Sequence, residues 1–201
     1  NLAMTYKELN NFKDSEINYK KAISINPENL NACNNLAGLL AKLNRFKESM
    51  KYYKKILKNN PKYANAFCGI ANIFRATDQT NKAIINYQKA IDLEPKNLSF
   101  RWLDLTIFPK IYQDTNEQKY FRERFEKKIE TIESLINNEF AFNDYLLIEA
   151  LQSSTNFLLS YQVENDLKLQ IKYANLVTSL ANKIFKNKFL NHKSKNYNSN
   201  K

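Results

Sequence analysis

Apolar residues in the first half of the chain fall three and four positions apart, the spacing of one face of a helix. The blocks they form are copied. Pro27, Pro61 and Pro95 lie 34 residues apart. The same step links Leu2, Leu36 and Ile70, then Ala3, Ala37 and Ala71, then Tyr6, Leu40 and Phe74. It also links Ser15, Ser49 and Ala83, then Tyr19, Tyr53 and Tyr87, then Ala22, Ile56 and Ala90, while Phe12 and Phe46 match with Thr80 as the departure. A fixed period near 34 with small residues at set places predicts stacked helical hairpins.

The small residues at 3/37/71 and 15/49/83 let the two helices of a hairpin approach closely. The large residues at 6/40/74 and 19/53/87 fill the space between hairpins as ridges fill grooves. Each proline ends a second helix, because it cannot continue the hydrogen-bond ladder. A single hairpin has too little apolar surface to stand alone, so neighbours must stack. Asn10, Asn44 and Asp78 stand at the hairpin turns, where Asn and Asp tolerate left-handed geometry better than other non-glycine residues.

These residues resemble the tetratricopeptide repeat. The second copy reads LNACNNLAGLLAKLNRFKESMKYYKKILKNNPKY from Leu30 to Tyr63, and the third reads ANAFCGIANIFRATDQTNKAIINYQKAIDLEPKN from Ala64 to Asn97. The resemblance implies an all-α, right-handed superhelical stack with repeats at 1–29, 30–63 and 64–97. The first repeat opens inside its first helix, at Asn1, and is expected to be truncated. The first helices of such a stack line a concave groove. Asn31, Asn34, Asn35, Gly38, Ala41 and Lys42 are expected to face it from the second repeat. Asn65, Cys68, Asn72, Arg75 and Ala76 are expected there from the third, and chiefly Lys7 from the first. Carboxamides bond an extended peptide backbone without reading its sequence, and Lys42 and Arg75 suit a carboxylate. Asn31, Asn34, Asn35, Lys42, Asn65, Asn72 and Arg75 are the candidate peptide-binding residues. The competing reading is a plain solvated polar face.

The period stops after Asn97. Residues 98–185 are expected to form a non-repeat helical capping or linker segment. One helix spans about Leu98 to Phe108 and ends at Pro109. Asp114 and Glu117 form a capping pair that opens the next helix. That helix buries Phe121, Phe125, Ile129, Ile132 and Ile136, with Arg122, Glu123, Lys127 and Glu130 outward. Another helix opens at Asn143-Asp144. A last one runs from about Asn165 to Phe185, with Ile171, Ala174, Val177, Ala181 and Ile184 inward. Residues 186–201 have no periodicity and no acid, and are expected to be a flexible basic tail or linker. Trp102 is expected to pack between the last hairpin and the next helix rather than to hold a ligand.

Composition excludes more than it suggests. The 201 residues include only 2 Gly and 4 Pro, which fits long helices rather than sheets with tight turns. No apolar run reaches membrane-spanning length, and no signal peptide opens the chain, so no membrane partner and a cytoplasmic setting are expected. Cys33, Cys68 and His192 are too few for a zinc site. The cysteines read as small buried thiols, although a disulfide between them remains open from sequence. The net charge is +11. Residues 1–97 carry 16 Lys and Arg against 8 Asp and Glu, residues 98–185 carry 10 against 12, and residues 186–201 carry 5 against none. A basic surface attracts acidic partners. No recognition motif accompanies the charge, so nucleic acid is not the favoured partner.

No phosphate loop and no Ser-His-Asp or Cys-His set is present, and no catalytic residue is assigned. Glu123/Glu126 and Glu130/Glu133 read as a solvated helix face. Two stretches, FPKIYQDTNEQKYFRERFEKKIETI and STNFLLSYQVENDLKLQIKYANLV, resemble the segment between repeats and catalytic domain in bacterial SPINDLY-like proteins, relatives of protein O-linked N-acetylglucosamine transferase. Pro109, Ile111, Tyr112, Thr155, Phe157, Tyr161, Gln162, Asn165 and Asp166 carry the likeness, while Leu158 and Val163 depart from it. The resemblance implies a downstream catalytic domain using a nucleotide sugar, with no cofactor in this segment. It also implies that Asn1 and Asn35 grip an acceptor peptide backbone, a ladder broken at Gly69. The alternative is a stand-alone adaptor for protein assembly. It expects every apolar residue of the last helix to be buried within the chain. A docking segment expects an exposed patch near Tyr161, Leu167 or Phe185 instead.

Overall fold

The computed structural model describes residues 2–137, 148, 151–152 and 165–190, without side chains for 186–190. Two compact units divide the chain, Asn1–Phe100 and Arg101–Lys201. The first unit holds six helices paired as hairpins: α1 Leu2–Glu8 with α2 Phe12–Ile25, α3 Leu30–Lys42 with α4 Phe46–Asn59, and α5 Ala64–Ala76 with α6 Thr80–Leu93. Each of these helices packs on its chain neighbour, and α3 also packs on α5. The described residues include no strand.

The hairpin turns are made by the residues the period singles out. Asn10, Asn44 and Asp78 have φ of 58°, 59° and 57°, the left-handed region where a Cβ is normally penalised. Behind each, the chain closes with a five-residue bond: Asn11 N to Tyr6 O at 2.8 Å, Arg45 N to Leu40 O at 2.9 Å, Gln79 N to Phe74 O at 2.8 Å. These bonds satisfy carbonyls that a helix end leaves orphaned. At the prolines, the preceding residues Asn26 and Asn60 are extended, as steric conflict with the ring requires. Their side chains then accept from Glu28 N at 3.1 Å and Lys62 N at 3.0 Å, fixing the turn into the next hairpin.

The small residues at 15 and 49 do more than make room. Ser15 Oγ donates to Ala3 O at 2.8 Å and Ser49 Oγ to Ala37 O at 2.7 Å, tying the helices of a hairpin together where both are buried. Two buried clusters then cross repeat boundaries. Ala3 and Tyr19 pack with Leu36, Leu39 and Leu40, and Cys33, Ala37, Tyr53 and Ile56 pack with Ala66, Ile70 and Ile73. Cys33 and Cys68 are both buried free thiols. Arg45 straps the first repeat to the second, meeting Glu16 at 2.6 Å and Glu48 at 2.7 Å. Its hydrogen bond, followed by that of Lys20, holds the Glu16 carboxyl below the usual carboxylate range.

Helix α7, Leu98–Leu105, is shorter than the expected span to Phe108. In the second unit it is followed by α8, Thr115–Asn137, and α9, Leu167–Leu190. The expected cap is present: Glu117 N donates to Asp114 Oδ1 at 2.7 Å, and Glu117 Oε2 accepts from Gln113 N at 2.6 Å. Phe121, Phe125, Ile129, Ile132 and Ile136 are all buried. Arg122 meets Asp166, Lys172 meets Glu126 at 2.6 Å and Glu130 at 3.2 Å, and Lys183 donates to Ile136 O. Position rises along both helices together, so α8 and α9 run parallel. Arg124 and Lys128 neutralise the buried Asp104.

Several expectations for this half need correcting. The buried row of α9 is Leu169, Leu176, Leu180 and Ile184; of the expected inward residues Ile184 is buried, Val177 and Ala181 are half-buried, and Ile171 and Ala174 are not buried. Leucines bury more apolar area than the alanines of the competing row. Ile171 is 52% exposed and Ala174 is exposed. Arg122, expected outward, is largely covered where it meets Asp166 just ahead of α9, whereas Glu130 is exposed as expected while meeting Lys172. Trp102 is buried and packs against Tyr173 of α9, with ring centroids 5.5 Å apart and planes tilted by 34°. Burial raises the Tyr173 hydroxyl to about 12. Helix α9 continues to Leu190, into the stretch 186–201 expected to be a flexible tail. The helix expected at Asn143-Asp144 and the residues Thr155, Phe157, Leu158, Tyr161, Gln162 and Val163 lie outside the described residues, as does His192.

The two glycines test the stacking of repeats with opposite signs. A Cβ on Gly69 would lie 2.1 Å from the Tyr53 ring, whereas one on Gly38 would sit 3.8 Å from the Tyr53 hydroxyl, an ordinary contact. Gly69→Ala is expected to destabilise by about 1–3 kcal/mol through overpacking. Gly38→Ala is expected to stabilise by up to about 1 kcal/mol through helix propensity. Urea unfolding of the two variants checks both signs.

Candidate peptide-binding groove

On α3, the positions 31, 34, 35, 38 and 42 follow the i, i+3, i+4 spacing of one helix face, opposite the buried Cys33, Leu36, Ala37 and Leu40. On α5, positions 65, 68, 72, 75 and 76 repeat that face in register. The two helices are packed neighbours, so their faces share one side of the stack. Cys68 and Gly69 are buried, however, so the third repeat offers fewer free positions than the second. Gly69 interrupts the asparagine ladder for a steric reason, because the Tyr53 ring occupies the space of its side chain.

Internal partners divide the seven candidate residues. Asn31 Oδ1 accepts from the Tyr63 hydroxyl at 2.8 Å. Burial, and after it the charge of Glu94, raises the Tyr63 pKa, and a hydrogen bond with Asn65 opposes that rise. Tyr63 thus ties together Asn31 and Asn65, which are equivalent in successive repeats. Asn72 Oδ1 accepts from the Tyr87 hydroxyl at 2.5 Å. Lys42 Nζ lies 4.8 Å above the Phe12 ring, a cation–π contact that engages the charge expected to hold a carboxylate. Asn34, Asn35 and Arg75 are half-buried and make no side-chain hydrogen bond or ion pair among the described residues. Lys7 is half-buried at the end of α1.

A cleft of about 330 Å³ opens between α1, α2 and α3. Asn31 and Asn35 line it together with Asn18, Tyr19 and Asn29. Asn34, Lys42, Asn65, Asn72 and Arg75 do not. Tyr19 is only 2% exposed, and its hydroxyl has no hydrogen-bond partner. Burial, then the nearby Glu8 charge, pushes its pKa up. The sequence marked Tyr19 as a spacer between hairpins and did not mark Asn18 or Asn29. Asn18 lies on α2, off the first-helix face from which the groove was read, and the packing of α2 on α3 brings it in, whereas Asn29 is the N-cap of α3.

A tetratricopeptide repeat family model matches residues 6–71, and a second matches residues 64–97. Residues 6–97 are a tetratricopeptide-repeat array. The structure of MamA from Desulfovibrio magneticus is 16% identical over 69% of this chain and 74% of its own, with a TM-score of 0.55. Another structure of MamA is 16% identical over 93% of this chain and 96% of its own, at 0.53. A tetratricopeptide repeat protein from Parabacteroides merdae is 17% identical over 94% of this chain and 70% of its own, at 0.58. At these identities the likeness is one of fold, an all-α superhelical stack of hairpins. No curated protein matches the chain. Arrays of this type are protein-interaction scaffolds, and residues 6–97 form such a scaffold.

Tyr19 and Tyr87 hold the same register position with opposite hydrogen-bond status, so their phenylalanine variants should differ in sign. Tyr19→Phe removes an unpartnered buried hydroxyl and is expected to leave stability unchanged or raise it by about 1 kcal/mol. Tyr87→Phe removes the bond to Asn72 and is expected to cost about 1 kcal/mol. Denaturant midpoints of the two variants against the parent chain check this.

Proposed function

We propose that the array holds an extended peptide along the shared face of α3 and α5. The observation that carries this is the set Asn34, Asn35 and Arg75, polar groups on two packed helices with no internal partner among the described residues. The asparagines supply donors and acceptors to a peptide backbone, and Arg75 supplies a fork for a carboxylate on the peptide. Asn31, Asn65 and Asn72 are already engaged by tyrosines, so they shape the wall of the groove and a peptide must compete for them. Lys42 contributes charge from its place above Phe12.

The exposed residues of α9 support a second contact surface on the other unit. Leu167 is 63% exposed and Ile171, one turn on, is 52% exposed. That pattern departs from the adaptor expectation of a last helix buried along its whole apolar length, and it suits a segment that docks onto a further domain. In the reading we favour, that domain is a SPINDLY-like glycosyltransferase domain using a nucleotide sugar in the cytoplasm. This finer reading rests on the resemblance of residues 108–132 and 154–177, and neither the family models nor the structures named above support it. Determining the coding sequence beyond Lys201 tests it: a glycosyltransferase domain is expected, and a different catalytic domain or none contradicts it.

The groove is tested with a library of fluorescent octapeptides in free-carboxylate and amidated forms, screened by polarisation against the whole chain. Asn35→Ala combined with Arg75→Ala is expected to weaken capture about tenfold or more, consistent with loss of two or three hydrogen bonds, one of them charge-assisted. Unchanged affinity in the double variant contradicts the reading.

A further inference from the structure

The lysines of the first unit are not spread evenly. Helices α2, α4 and α6 hold ten lysines against four acidic residues, whereas α1, α3 and α5 hold two lysines and one arginine against Glu8. Half of the ten stand on α4: Lys47, Lys51, Lys54, Lys55 and Lys58, all exposed. At about 100° per residue they fall within one arc of roughly 100°, opposite the buried Ser49, Tyr53 and Ile56. Lys47, Lys51, Lys54 and Lys58 step by four, three and four residues, so like charges are neighbours along the helix and repel. The acids nearby give no relief. Glu48 of α4 and Glu16 of α2 are both taken by Arg45. Asp14 meets Asn11, and Asp92 meets Gln88. None of the five lysines makes an ion pair among the described residues. The helix keeps the stripe at a cost in stability, which an anionic partner removes.

Lysine attracts any polyanion, so the surroundings of the stripe decide what fits. A nucleic acid finds no exposed aromatic residue on α2, α4 or α6 to stack on. It also finds no free guanidinium for its phosphates, because Arg45 is held by two carboxylates. A bilayer needs apolar side chains within the stripe, and α4 turns its Met50, Tyr52 and Leu57 to the core. The positions equivalent to Lys51 in the neighbouring repeats are Ile17 and Ile85, 52% and 55% exposed. Tyr19, Tyr53 and Tyr87 are buried alike two residues on, so these three side chains share one outward direction. The row reads apolar, cationic, apolar. We propose that the outer face of α4 is a docking surface for an acidic segment of a partner protein, with Asp or Glu over the lysines and apolar side chains against Ile17 and Ile85. This surface is separate from the face of α3 and α5.

The test is fluorescence polarisation of the whole chain with a labelled peptide of Glu, Ala and Leu as long as α4, beside the same peptide with Gln in place of Glu. The Glu peptide is expected to bind and the Gln peptide not to. Lys51→Glu with Lys54→Glu is expected to weaken binding at least tenfold, and Lys51→Gln with Lys54→Gln to give a smaller loss. Lys127→Glu with Lys168→Glu makes the same change of net charge at exposed lysines of the other unit and is expected to alter binding less than twofold. No binding of the Glu peptide, or equal loss in the two charge-reversed variants, overturns the proposal. So does easier displacement of the peptide by duplex DNA or by phosphatidylserine vesicles than by an unlabelled Glu peptide of matched charge. Arg75→Ala separates this surface from the groove: it leaves binding of the Glu peptide unchanged, and a loss matching that of the α4 variant overturns the assignment to α4.

Discussion

The array depends on one tyrosine contact between repeats. Tyr53 projects from α4 into the space where Gly69 of α5 has no side chain, and the ring is buried among Cys33, Ala37, Ile70 and Ile73. A two-helix hairpin has one apolar side and nothing to cover it. The next hairpin provides the cover, and the tyrosine fills the seam. Two buried clusters of the first unit therefore span two repeats rather than sitting inside one. Stability in such a stack is a sum of neighbour terms, so the surface that function uses is made by adjacency.

Adjacency also explains which groove residues are free. Tyr63, the residue before α5, bonds Asn31 of α3, and Tyr87 bonds Asn72 within a single hairpin, so bonds between and within hairpins consume some of the amides on the face. Lys42 is similarly drawn over Phe12 of the preceding repeat. The polar residues of the face left without an internal partner among the described residues are a smaller set than the face as a whole: Asn34, Asn35 and Arg75. The same packing demand that stabilises the stack thus restricts where, in the proposed groove, a guest chain would bond.

Much of the fold was legible because its constraints are local. A turn that needs positive φ asks for Asn or Asp, and Asn10, Asn44 and Asp78 announced it at a 34-residue step. The row from Phe121 to Ile136 was legible because α8 has a single apolar stripe. Helix α9 has two. The choice of Leu169, Leu176 and Leu180 over Ile171 and Ala174 was decided by packing against α8, which the helix does not encode by itself. The site was legible only as a face. That Asn31 bonds a tyrosine 32 residues away, and that Asn18 joins the lining of a cleft against α3, are products of the stack, and no motif marks them.

The account stands on the claim that a hairpin of this chain folds only against its neighbours. Far-ultraviolet circular dichroism of a peptide spanning Leu30 to Tyr63, measured beside the whole chain under the same conditions, addresses it directly. The peptide should show little helix and no cooperative melt, while the whole chain shows both. A peptide that melts cooperatively with the helix content of its segment in the intact protein would contradict the claim.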